Sequence, residues 1–132
     1  IIENIEVKDY ETTDITINGE GLKTTIIEAD TCNSVDETCS HGHMIFWIHL
    51  IGSLSINNLT VRHGSETNNS NGGAIYNDGN FDIGHCEISS NAGRVGGGIV
   101  NAASGDLTIN ESLIHNNVSL DTWGGAILNY GT

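Results

Sequence analysis

Basic residues are scarce in this chain. Only Lys8, Lys23, Arg62 and Arg94 stand against 17 Asp and Glu, a formal net charge of −13. Such a charge repels the phosphates of nucleic acid and the headgroups of anionic lipid, so neither is an expected partner. Long apolar runs are lacking too: the longest, Met44 to Ile48, stops at His49, well short of a bilayer span. No basic-then-apolar leader opens the chain, whose first residues are polar and acidic. It starts at Ile1 and stops at Thr132, which reads as a processed or partial chain. Helical i, i+3, i+4 apolar spacing is missing over any useful length. Proline is absent, which leaves the turns to Gly, Asn, Asp and Ser.

The abundance of Asn, Ser and Thr would fit disorder on composition alone. The apolar residues argue otherwise, because Ile, Val and Leu recur two apart in short runs, the period of a strand. At 132 residues the chain suits a single domain, 1–132, with 1–50 irregular and 51–132 regular.

Three cysteines are present. Cys32 and Cys39 lie in a polar, turn-rich stretch, and a disulfide between them is expected in an oxidising compartment. A metal site with His41 and His43 is the competing reading, although the spacing matches no zinc-ligand pattern. The stretch 30–43 reads as a loop inserted between strands.

Internal repetition is the main signal. Gly72-Gly-Ala-Ile-Tyr-Asn77 returns as Gly96-Gly-Gly-Ile-Val-Asn101 and as Gly124-Gly-Ala-Ile-Leu-Asn129, at spacings of 24 and 28 residues. A second phrase interleaves with it. Leu54-Ser-Ile56-Asn-Asn-Leu59-Thr-Val61 aligns with Phe81 to Ile88 and with Leu107 to Ile114, at spacings of 27 and 26. Two independent phrases sharing one period point to stacked coils, each of three short strands. One coil cannot bury its own apolar face, whereas stacking gives each a partner above and below.

The expected inward ladders are Leu54, Phe81 and Leu107; Ile56, Ile83 and Ile109; Val61, Ile88 and Ile114; and Ile75, Ile99 and Ile127. Cys86 falls at the inward position of Leu59 and Ser112, as a buried free thiol acting as a small hydrophobe. Asn77, Asn101 and Asn129 are expected to bond amide to amide up the stack. Gly64, Asn91 and Asn117 share a turn position assigned to positive φ. The glycine pairs are expected where a side chain would clash. Ile15 to Ile17, Thr25 to Ile27 and Met44 to Ile48 read as strands of earlier coils. The predicted fold is all-β, a right-handed single-stranded parallel β-helix of about five rungs, roughly 24 Å long at one strand spacing per rung.

The Gly-Gly-Ala-Ile phrase followed by Asn resembles the repeats of chlamydial polymorphic outer-membrane proteins. It is also similar to the wider bacterial and archaeal β-helix repeat proteins of secreted adhesin type. There a run like Ile15-Thr-Ile-Asn-Gly-Glu-Gly21 with Thr25-Ile-Ile27 precedes the Gly-Gly repeats. The resemblance covers the chain from about Ile15 onward and implies the fold and an extracellular or cell-surface setting. The Phe-x-x-Asn motif of the polymorphic proteins does not occur here.

Many β-helix proteins cleave acidic polysaccharides, so an enzyme is the rival reading. A lyase needs several carboxylates for calcium and a basic residue to take a proton. Arg62 shares an outward position with Ser89 and His115, and no carboxylate cluster is expected beside them. A hydrolase needs facing carboxylates. Asp82, aligned with Ser55 and Thr108, stands alone in its ladder, and Asp106 lacks an equivalent.

His41, His43 and His49 read as exposed polar residues near a loop. Phe46 and Trp47 read as core or cap. Trp123 is packed over its rung or exposed as a contact. Four sequons, at Asn58, Asn68, Asn110 and Asn117, fall at expected turns or loops that could carry glycans.

A stack of this kind has two open ends with unpaired strand edges, and neither end shows a capping helix. The expectation is a non-catalytic extracellular structural or adhesive module, without cofactor. Its ends either continue in a larger chain or stack copy on copy into a surface filament, with a glycan or cell-surface partner. The alternative is a polysaccharide lyase or hydrolase, or a glycan-binding domain.

Overall fold

The computed structural model describes residues 14–29, 43–66, 71–121 and 123–132, and the backbone of 5–7. The predicted disulfide Cys32–Cys39, the stretch 30–42 with His41, and the sequon at Asn68 lie outside the described residues.

The described residues form strands and turns, with no helix. In chain order the strands are β1 (Ile5–Val7), β2 (Asp14–Asn18) and β3 (Ile26–Glu28); β4 (Phe46–Ile48), β5 (Ser53–Asn57), β6 (Thr60–Arg62) and β7 (Ser65–Glu66); β8 (Ile75–Asn77), β9 (Asn80–Gly84), β10 (Glu87–Ser89) and β11 (Ala92–Gly93); β12 (Ile99–Asn101), β13 (Asp106–Asn110), β14 (Leu113–His115) and β15 (Val118–Ser119); and β16 (Ile127–Asn129). They assemble into four sheets: β1-β4-β8-β12-β16 (sheet I), β2-β5-β9-β13 (sheet II), β3-β6-β10-β14 (sheet III) and β7-β11-β15 (sheet IV).

Neighbouring strands run parallel and come from successive repeats. The chain thus visits sheets I to IV in order and returns to sheet I one level on. The fold is all-β, with parallel strands in stacked sheets, consistent with a β-helix or solenoid. The repeats that begin at β4, β8 and β12 each contribute four strands rather than the expected three. The fourth, in sheet IV, is two residues long and carries no apolar alternation to announce it.

Alternation does the folding work. In β5 and β9 every second residue is buried, so Leu54, Ile56, Phe81 and Ile83 point inward while Ser55 and Asp82 point out. Register then sets like on like. Ile17, Ile56, Ile83 and Ile109 form one column, and Ile15, Leu54, Phe81 and Leu107 the next. Ile27, Val61, Ile88 and Ile114 form the third, and Phe46, Ile75, Ile99 and Ile127 the fourth. These columns make one core, into which Cys86 also fits at 1% exposure. Each fully buried aliphatic side chain contributes about 1.5–3 kcal/mol of transfer free energy.

Two polar columns run through the interior. The Asn77 amide nitrogen donates to Asn101 Oδ1 at 2.7 Å, and the Asn101 nitrogen to Asn129 Oδ1 at 2.7 Å. Asn77 and Asn101 are fully buried, so these bonds keep their amides satisfied. The second column differs from expectation. Asn91 and Asn117 are not the positive-φ residues; His63 (61°), Ser90 (56°) and Asn116 (53°), one position earlier, are. The asparagines work through their side chains instead. Asn91 Oδ1 accepts from the Gly64 N–H at 2.8 Å, and the Asn91 amide donates to Asn117 Oδ1 at 2.9 Å.

The Gly-Gly phrase has a steric cause. A Cβ on Gly73 would strike the Gly97 carbonyl, and one on Gly97 would strike the Gly125 carbonyl. The glycine before each of the latter two, Gly96 or Gly124, has positive φ (58° and 54°).

Candidate functional surfaces

Three outward surfaces gather chemistry-bearing side chains. The first is the face of sheet III. Register places Glu28, Arg62, Ser89 and His115 in one outward row. Arg62 Nε donates to Glu28 Oε2 at 2.6 Å, and His63 Nδ1 lies 3.3 Å from the same oxygen, outside hydrogen-bond geometry. The Arg62 hydrogen bond holds the Glu28 carboxyl below its usual range, against a smaller opposing effect of burial. Further along, Ser89 Oγ donates to Glu87 Oε1 at 2.8 Å and His115 Nε2 stands 3.2 Å from that oxygen.

One carboxylate accompanies each of Arg62 and His115, on separate levels rather than in a cluster. Both could have been found in the sequence. Ile26-Ile-Glu28 aligns with Thr60-Val-Arg62, and Glu87 precedes Ser89 by two, the strand period.

The chemistry of this row is that of staples between levels. Each carboxylate is already matched, Glu28 by a guanidinium and Glu87 by a hydroxyl and an imidazole. Ser89 is 4% exposed, and its hydroxyl is bonded to a carboxylate. A nucleophilic serine would instead be presented to substrate and bonded to its base.

The second surface is the outer side of sheet I. Phe46 fills the core as expected, but Trp47 does not: it points outward, half-buried, in register with Tyr76. Its ring stacks on His49 with centroids 4.8 Å apart and planes 10° apart, and meets Tyr76 edge-on at 5.8 Å. His49 is therefore an aromatic partner rather than a free polar residue, and its Nε2 is buried without a hydrogen bond. Burial, and then the Asp78 carboxylate, push the Tyr76 hydroxyl above its usual range. Leu50 and Ile51, in the turn that follows, are exposed.

The third surface is the level formed by β13 to β16, where Leu113, Val118, Leu120, Trp123 and Tyr130 are each more than half exposed. Trp123, at 60%, is the exposed of its two expected alternatives.

The remaining predicted residues scatter. Cys86 is a buried thiol pushed up by burial, its Sγ 3.1 Å from the Gly84 carbonyl oxygen. Asp82 has Ser55 and Thr108 as register mates, as expected, and Ser55 Oγ approaches it at 3.5 Å. Asp106 opens β13. Among the sequons, Asn58 is exposed in a turn and Asn110 is exposed at the end of β13. Asn117 is half-buried, and its amide donates to the Ile88 carbonyl at 2.8 Å. Among the described residues no three His, Cys, Asp or Glu come together as a metal site.

No family model, curated protein or solved structure matches the chain.

Proposed function

We propose that the chain is a right-handed, single-stranded parallel β-helix of about five rungs acting as a non-catalytic structural or adhesive module at the cell surface. In this reading the stack lengthens coaxially through its ends, by further repeats or by copy on copy. The observation that carries it is the continuity of the interior columns. Successive levels are joined by the same aliphatic contacts, and the later ones by asparagine contacts as well. The net charge of −13 adds solubility and disfavours nucleic acid and anionic membrane as partners. In an oxidising extracellular setting Cys32 and Cys39 would close a disulfide, and the exposed Asn58 and Asn110, together with the sequon at Asn68, would be the glycan acceptors. Glycosylating Asn117 would disturb its bond to the Ile88 carbonyl.

Electron microscopy of the native material tests the assembly. Coaxial particles longer than one domain are expected; compact particles alone at high concentration would count against it.

One observation favours a second reading, a glycan-binding or polysaccharide-active domain. The Trp47, His49 and Tyr76 rings lie outside the core beside Asp78, and aromatic faces next to a carboxylate suit sugar rings. Saturable binding from a pectin, alginate and glycosaminoglycan panel, lost on Trp47→Ala, would establish it.

A further inference from the structure

We propose that the outer side of sheet I carries a binding site for a methylated ammonium cation such as choline, built by Trp47, Tyr76 and Asp78 with His49 packed on the indole. This goes beyond both functional readings and gives the aromatic surface a ligand other than a sugar.

Topology builds the site. Trp47 and Tyr76 are register mates on β4 and β8, one strand spacing apart. Two residues on, the period of a strand, the two segments reach His49 and Asp78, and the Asp78 N–H donates to the Ile48 carbonyl at 2.8 Å. The four residues thus form a square on the outside of the sheet. Phe46, Ile48, Ile75 and Asn77 alternate with them and are fully buried, so the square stands on a packed base. His49 lies flat on Trp47, with centroids 4.8 Å and planes 10° apart. The Trp47 and Tyr76 planes stand 76° apart, with centroids at 5.8 Å. Two rings that meet in this way enclose two corners, each bounded by one face of each ring. His49, stacked on a single face of Trp47, leaves one of them to a ligand.

Charge selects the ligand. The faces of aromatic rings are the negative side of their quadrupole and attract cations. Asp78 adds a carboxylate, close enough to Tyr76 to help burial push the phenol above its usual range. Asp78 has no ion-pair partner among the described residues. Arg62 and Arg94 are bonded to Glu28 and Asp121, and Lys23 lies in the turn between β2 and β3. Register sets a further acidic residue, Glu6, next to Trp47. The net charge of −13 concentrates cations near the surface and repels anions.

Hydration narrows the choice. A bare ammonium gives up its water only for several acceptors, and one carboxylate beside two rings is too few. N-methyl groups spread the positive charge over an apolar surface, which ring faces cover without hydrogen bonds. A sugar needs several directed polar groups around its hydroxyls, whereas this square offers the Tyr76 hydroxyl and the Asp78 carboxylate. A phosphate attached to the ligand would meet Asp78 unmatched.

The test follows Trp47 fluorescence in the full chain carrying Trp123→Phe, at about pH 8, where free imidazole is uncharged. Choline should change the emission saturably, with a midpoint on the order of 1 mM. The neutral isostere of choline, with carbon in place of nitrogen, should bind at least about fivefold more weakly. Phosphocholine should also bind more weakly than choline. Asp78→Asn and Tyr76→Leu should each weaken choline about fivefold, with circular dichroism confirming that the variants are folded.

Emission that stays unchanged up to about 50 mM choline overturns the inference. So does equal binding of the isostere, which would show an apolar patch, or tighter binding of phosphocholine, which would show a phosphate site. The isostere comparison needs no change within the square, so it decides even where a variant misfolds. Saccharide binding without choline binding overturns the inference and keeps the glycan reading; choline binding without saccharide binding does the reverse. The stacked-module reading is untouched by either result.

Discussion

The repeat at β9–β10 and the repeat at β13–β14 carry nearly the same phrase and sit in different worlds. Phe81, Ile83 and Ile88 are at most 1% exposed, whereas their register mates Leu107, Ile109 and Ile114 are half-buried. Nothing in the local sequence accounts for this. The inner repeat has a level on either side and the last has one. Burial in such a stack belongs to the junction between repeats, so stability is a sum over junctions.

Paired substitutions break or sharpen that comparison. The largest contrast is expected in the isoleucine column. Ile83→Ala should cost about 3–5 kcal/mol and Ile109→Ala about 1–2 kcal/mol in urea unfolding, because only the first leaves a sealed cavity. Equal losses would mean that the last level is as well packed as the middle one. The amide column should follow. Asn101 bonds Asn77, Asn129 and the carbonyls of Gly105 and Thr132, so Asn101→Ala should cost about 2–3 kcal/mol. Asn129→Ala, at the exposed end of that column, should cost about 1 kcal/mol or less on the same assay.

The smallest effect belongs to the exposed row on sheet III. The Glu28 carboxyl is held below the usual carboxylate range, so its contribution is complete above that range and fades as acid protonates the folded group. Arg62→Gln should remove this acid dependence and change neutral-pH stability by under about 1 kcal/mol, because the pair is largely solvated. Acid titrations of the two proteins that superimpose would show the pair to be idle.

The columns could be read in the sequence because apolar residues at period two, repeated every 24 to 28 residues, leave one consistent register. What escaped was carried by residues without such a pattern. Ser65–Glu66, Ala92–Gly93 and Val118–Ser119 are too short and too mixed to announce a sheet. Asn91 and Asn117 were assigned to turn backbone, because asparagine serves both turns and buried amide columns. Trp47 reads as core or cap beside Phe46, yet Phe46 and Ile48 already claim the inward positions of a three-residue strand. The Glu28–Arg62 pair joins residues 34 apart and emerges once β3 is aligned with β6.

The left-handed corners have a consequence for the molecule's resilience. Asn58, His85 and Glu111 hold φ of 54°, 52° and 44°, and His63, Ser90 and Asn116 hold 61°, 56° and 53°. Two edges of the stack are thus folded through a conformation that costs an ordinary side chain about 1 kcal/mol or more. Those at His85 and Glu111 reach across the edge to each other, a weak return on that outlay. The strain of this protein is concentrated at these edges. A Glu111→Gly change would surrender a surface contact and release backbone tension, so thermal hardening has its headroom where the chain turns.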